Sequence, residues 1–124
     1  MIWLMIACGG ALGAMARYGL NLWLFPIFEQ RFPLATLVAN VVGSILMGIA
    51  YVILIERGNF QPELRHLIMT GFLGAFTTFS AFSLDAFALM RNGDLLTAAG
   101  YVLLSVTTCI IAVSLAIKIS SEYL

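Results

Sequence analysis

The chain has 124 residues, 62% of them hydrophobic and only 10% charged. A soluble domain of this size cannot hide so much apolar surface, because small domains expose a large share of what they carry. A mean hydropathy of +1.05 excludes disorder as well. Six basic residues balance six acidic ones, so there is no basic tract for nucleic acid or anionic lipid. These bounds describe an integral membrane protein with a single domain over 1–124.

A helix crossing the hydrocarbon needs about 20 mostly apolar residues. Four stretches qualify, at about 2–25, 34–55, 64–90 and 95–118. The links between them are short, which makes consecutive helices antiparallel neighbours. The expected fold is all-α, with four transmembrane helices.

Span one opens with an apolar run and Ala14-Met15-Ala16, which has the form of a signal cleavage site. No basic segment precedes the run, so it reads as a retained span. Gly9 and Gly13 form a GxxxG pair, which lets two helix backbones approach closely. Arg17 is the one charge in this span, followed by Tyr18. It marks the membrane edge by snorkelling, attracts anions to a vestibule, or holds a structural interface.

In span two, Thr36, Asn40, Ser44 and Gly48 are four apart and share a helix face. An unpaired carboxamide in hydrocarbon is costly, so Asn40 needs a partner. Another helix can supply it, or water and a permeating solute.

Span three combines Gly71, Gly74, Thr77 and Thr78, all of which weaken a helix, near mid-membrane. Irregular backbone at that depth survives only when buried in protein or lining a wet cavity. The third helix is therefore expected to break there, freeing carbonyls that can bind a cation. Ser80 and Ser83 are three apart, as are Phe79 and Phe82. Aromatic rings carry a positive edge, so Phe edges can stabilise an anion without a formal counter-charge. Asp85 near Arg91 reads as a capping or pairing residue, with proton coupling as the other option.

Span four places Tyr101 and Ser105 on one face, with Thr107, Thr108 and Ser114 nearby. Hydroxyls in such helices often bond their own backbone. Cys8 and Cys109 both fall inside spans and read as small packing residues, without a disulfide or a metal site. His66 stands beside Arg65 with no reactive set around it, so the chain is not expected to be an enzyme.

Positive residues in short loops normally fix orientation. Arg57, Arg65 and Lys118 lie on one side, and Arg17, Arg31 and Arg91 on the other. The balance gives neither orientation a preference. A chain of this kind can insert both ways and pair with an inverted copy.

Three strings carry a family resemblance that covers nearly the whole chain. They are Gly9-Gly10-Ala11-Leu12-Gly13-Ala14 with Arg17-Tyr18, the run from Thr36 through Asn40 to Ser44, and the run from Gly71 to Ser83. Together they resemble the Fluc, or CrcB, fluoride channels. The family often has Gly and Thr where this chain has Ala75 and Ala81. The resemblance implies a passive, fluoride-selective pore that protects a bacterial cell from its inner membrane. It implies a dual-topology antiparallel homodimer with two pores. It implies a structural sodium ion at the dimer interface, held by backbone carbonyls of Gly74 and Thr77. Phe79 and Phe82 would present ring edges to fluoride, and Asn40 would donate to it. Tyr101 would stand near the rings, with Ser80, Ser83, Ser105 and Thr108 as a polar track. Two rival readings are a proton-coupled multidrug-type transporter and a subunit of a membrane complex. The first needs a membrane-embedded acid, and span one has none.

Overall fold

The computed structural model describes residues 1–24 and 32–124. Phe25, at the predicted end of span one, and Arg31, in the charge balance, lie outside the described residues. Among those described, all regular structure is helical, and four helical stretches are long and apolar enough to cross a membrane.

Helix α1 is Ile2–Leu24. Helix α2 runs over Leu34–Glu56, its last turn widening at Val52–Glu56 to the i→i+5 pattern of a π-helix. Three consecutive pieces, Pro62–Arg65, His66–Leu73 and Gly74–Phe76, make up α3. Its middle piece is also π-helical. Helix α4 is Phe79–Arg91 and helix α5 is Leu95–Tyr123.

The GxxxG pair of α1 packs against α3. A Cβ on Gly9 would come within 2.9 Å of the Phe72 amide nitrogen, and one on Gly13 within 2.9 Å of the Phe72 carbonyl carbon. Gly71 answers from α3, where a Cβ would meet the Ile6 carbonyl oxygen at 2.9 Å. Backbone thus lies on backbone, and side chains cannot yield to make room. Gly13→Val is expected to cost about 3 kcal/mol, at the upper end for overpacking. Thermal unfolding in detergent checks this, with Gly10→Ala as control because nothing lies within 4 Å of that position.

The predicted break in span three falls at Thr77 and Thr78, which are extended with ψ of 156° and 120°. The span expected over 64–90, with a break in it, is the stretch Pro62–Arg91, two helices with a non-helical pair between them. Helix α4 starts afresh, with the Thr78 hydroxyl accepting from the Ala81 amide at 3.1 Å, an N-cap bond. It ends at Gly93, whose φ of 80° a side chain would resist. The Asp94 amide donates back to the Leu89 carbonyl at 3.0 Å, closing the turn into α5.

Two apolar clusters hold the helices. Phe82, Ala86 and Leu89 of α4 pack on Ala98 and Tyr101 of α5. Ala50 and Leu54 of α2 pack on Leu73 of α3. Outside these clusters large apolar side chains are exposed, including Trp3 and Trp23 at opposite ends of α1. Twenty helical residues separate the two, about 30 Å at 1.5 Å each, the thickness of a hydrocarbon core. Trp favours both membrane interfaces, so α1 is matched to a bilayer.

Candidate ion pathway at the broken helix

The break exposes polar backbone, and each exposed group raises the question of a partner. The Thr78 amide donates to Oδ1 of Asn40 at 2.8 Å, and Nδ2 of Asn40 donates to the Thr78 carbonyl at 3.0 Å. One carboxamide thereby satisfies both backbone groups of an extended residue. Nε of Arg17 donates to the Ala75 carbonyl at 3.1 Å. This bond ties Arg17 to the last turn of α3, and the residue also lines a cavity of about 230 Å³ with Tyr18, Thr36 and Thr78. The Thr77 hydroxyl and amide both donate to the Leu73 carbonyl, at 2.9 and 3.0 Å.

The carbonyls of Gly74 and Thr77 receive no hydrogen bond among the described residues. Gly74 is also exposed on the chain's surface. Orphaned carbonyl oxygens at a helix end suit a hard monovalent cation. The residues present therefore fit the sodium ion that the resemblance implied.

Beside the break lies a cavity of about 340 Å³ between α2, the start of α4 and α5. Asn40 and Ser44 line it from α2, Thr77 and Thr78 from the break, and Phe79 and Phe82 from α4. Ser105 and Cys109 close it from α5. Close packing of α2 on α5 farther along is possible because Gly48 faces Ala116, where a Cβ would stand 2.8 Å away.

The Phe79 and Phe82 rings are 5.4 Å apart with a 46° tilt. Phe82 continues to Tyr101 at 5.2 Å, and Tyr101 meets Phe32 edge-on at 5.4 Å and 88°. The two phenylalanines differ in environment. Phe82 is 7% exposed within the core, whereas Phe79 is 76% exposed. Tyr101 is fully buried, and it is not part of the cavity wall.

Ser105 lines that wall, and its hydroxyl is buried without a hydrogen-bond partner among the described residues. Buried hydroxyls are normally paired, so this one stands out from the other hydroxyls of the helix. The other hydroxyls proposed for a polar track are arranged differently. Ser83 bonds the Phe79 carbonyl at 2.9 Å, and Thr108 the Leu104 carbonyl at 2.6 Å, each on its own helix. Ser80 approaches the Thr78 hydroxyl at 3.3 Å. None of the three lines the cavity.

One cluster was not read from the sequence. The Thr36 hydroxyl donates to Oδ2 of Asp85 at 2.8 Å, and the Tyr101 hydroxyl reaches the same oxygen at 3.4 Å. Asp85 thus pairs with hydroxyls from α2 and α5 and holds Tyr101 behind Phe82. Asp85→Asn retains an acceptor at this place. Any ion flux through the chain is expected to stay within about threefold of wild type in this variant, with no new pH dependence, since less than about 0.7 kcal/mol is at stake. Loss of efflux in this variant would favour proton coupling.

Four spans, a helix interrupted at mid-span and a ring-lined cavity beside the interruption define a multi-pass membrane protein with a largely apolar cavity at a broken helix. Residues 4–117 match the family described as CrcB-like protein, Camphor Resistance (CrcB), and the chain belongs to that family. It is 49% identical over 115 residues to a fluoride-specific ion channel FluC of Hahella chejuensis, covering 93% of this chain and 91% of that one. It is 46% identical over 122 residues to a protein of the same name from Saccharophagus degradans, covering 98% and 91%. A third of that name, from Cereibacter sphaeroides, is 52% identical over 104 residues, covering 83% and 81%. These relatives are named as channels, not as enzymes.

Proposed function

We propose that this chain is a fluoride-selective passive channel in the inner membrane of a bacterium. The observation that carries the reading is the cavity beside the break, lined by Asn40, the two Phe rings and Ser105. The names of its relatives give the same ion.

Fluoride is small and holds its water strongly. A pore must replace that water with weak, distributed donors, because a formal positive charge would hold the ion too tightly for conduction. The carboxamide of Asn40 has two N–H groups, of which Thr78 takes one. The second is available to an anion in the cavity that Asn40 lines. Positive ring edges of Phe79 and Phe82 complete the set. The ion leaves the cell down its electrochemical gradient, since the inside-negative potential repels it. No coupling reaction is required.

The complete pathway needs a second copy of the chain, inverted in the membrane, giving two pores per homodimer. The exposed Phe79 ring and the exposed edge at Gly74 support this, since both lack cover within one chain. Sodium at the dimer centre would be held by carbonyls of Gly74 and Thr77, where it would join the two copies electrostatically.

The test is fluoride efflux from liposomes holding the purified protein. An electrode follows release after a potassium ionophore collapses the opposing voltage, with chloride as control. Rapid fluoride release without chloride release is the expected result. Silence from folded, dimeric protein would overturn the reading and favour a subunit of a larger complex.

A further inference from the structure

Both extended residues at the break are met by α2. Asn40 takes the amide and the carbonyl of Thr78. Gly43 lies three residues farther along the same helix face, is buried, and also lines the cavity. A Cβ there would overlap the Cγ2 methyl of Thr77 and stand 3.4 Å from the Phe76 ring. Thr77 has no easy way to yield. Its hydroxyl and amide both donate to the Leu73 carbonyl, at 2.9 and 3.0 Å, and a β-branched side chain is stiff about χ1. Gly43 sits within a regular α-helix, where alanine is the better helix former. What keeps a side chain out is therefore the Thr77 methyl and not the backbone conformation. Among the described glycines, Gly43 is the one whose Cβ would meet Thr77 or Thr78.

We propose that Gly43 is a positioning residue of the ion pathway: its open face seats the Thr77 methyl and so fixes the cavity wall next to Asn40. This rests on the channel reading above. In Gly43→Ala, Thr77 has two ways out. Turning about χ1 withdraws the hydroxyl from the Leu73 carbonyl and puts a different group on the cavity wall. Moving with its backbone drags the next residue, Thr78, away from the Asn40 carboxamide that holds it. Either change alters the wall that an ion passes. Thr77→Ser removes the methyl and keeps the hydroxyl, so it makes room for the alanine.

The experiment reads two signals, fluoride efflux per folded protein in liposomes and thermal unfolding in detergent. It compares wild type, Gly43→Ala, Thr77→Ser, the double variant and Gly48→Ala. Gly48→Ala is the control for crowding alone, since a Cβ there meets Ala116 at 2.8 Å on the same helix but away from the cavity lining. It is expected to unfold more easily and to keep efflux within about twofold of wild type. Gly43→Ala is expected to lose efflux by about tenfold or more. The double variant is expected to return to within about threefold of Thr77→Ser, a coupling of the kind residues in contact show. Equal efflux from Gly43→Ala and wild type would overturn the proposal. So would a double variant that conducts no better than Gly43→Ala, or efflux lost equally in Gly48→Ala. Where Gly43→Ala does not fold, the double variant decides: it is expected to fold and conduct like Thr77→Ser, and failure in either respect would overturn the proposal. Wild type that passes no fluoride would sink the channel reading instead. The unfolding temperatures would then still decide whether Gly43 seats Thr77, with additive losses counting against it.

Discussion

Asn40→Asp is expected to reduce fluoride efflux by at least a hundredfold, a barrier increase of about 2.7 kcal/mol. Two effects combine. The wild-type carboxamide accepts from the Thr78 amide at 2.8 Å and donates to the Thr78 carbonyl at 3.0 Å. A carboxylate can only accept, so the second bond becomes a repulsion between two oxygens. A buried acceptor left unpaired costs about 1–3 kcal/mol by itself. The carboxylate also stands on the cavity wall, where its charge opposes an anion in a poorly screening environment. Asn40→Ala separates the two effects, because it removes the clamp without adding charge. It is expected to lose efflux less severely and to unfold more easily than wild type. Liposome efflux and thermal unfolding, measured on both variants, check the pair. Equal efflux from Asn40→Asp and wild type would remove Asn40 from the pathway.

Phe79→Ile is expected to lower efflux by at least tenfold, about 1.4 kcal/mol, while leaving the stability of the single chain unchanged. Phe79 is 76% exposed, so its ring contributes little to the core. What isoleucine lacks is the positive ring edge. Phe82→Ile tests the same idea in a different setting. Phe82 is buried against Tyr101 at 5.2 Å, so this variant loses aromatic packing as well as the edge. It is expected to lose efflux and also about 1 kcal/mol of stability, the usual scale for an aromatic pair. Efflux and unfolding should therefore separate for Phe79 and move together for Phe82. Full efflux in both variants would remove ring edges from the mechanism.

The four spans were legible because length and apolarity alone define them, and neither depends on distant contacts. The weakness of span three was legible too, since Gly71, Gly74, Thr77 and Thr78 all disfavour helix. Its restriction to Thr77 and Thr78, with Gly71 and Gly74 still helical, was not, because the choice depends on partners from elsewhere in the chain. Asn40 is 38 residues from Thr78, and Arg17 is 58 from Ala75. Nothing local to span three announces either bond. The same limit applies to hydroxyls. Ser83 and Thr108 bond their own helices, whereas Ser105 does not, although all three looked alike in the sequence. Asp85 seemed to belong with Arg91 because the two are near in sequence. Its hydroxyl partners, Thr36 and Tyr101, come from helices on either side.

Both side chains that satisfy the break, Arg17 and Asn40, precede it in the chain. Ribosomes deliver the protein from its N-terminus, so these donors and acceptors are made before the segment that needs them. The interrupted stretch thus enters the bilayer with its partners already built, and its free amides and carbonyls can be matched as they arrive. A permuted chain beginning at the Gly93 turn, with α5 first and α3 and α4 last, would keep that sequence of events. One beginning between α2 and α3 would reverse it, sending unmatched backbone into the lipid ahead of its clamp. Order of synthesis, as well as final geometry, is therefore a property this arrangement of residues secures.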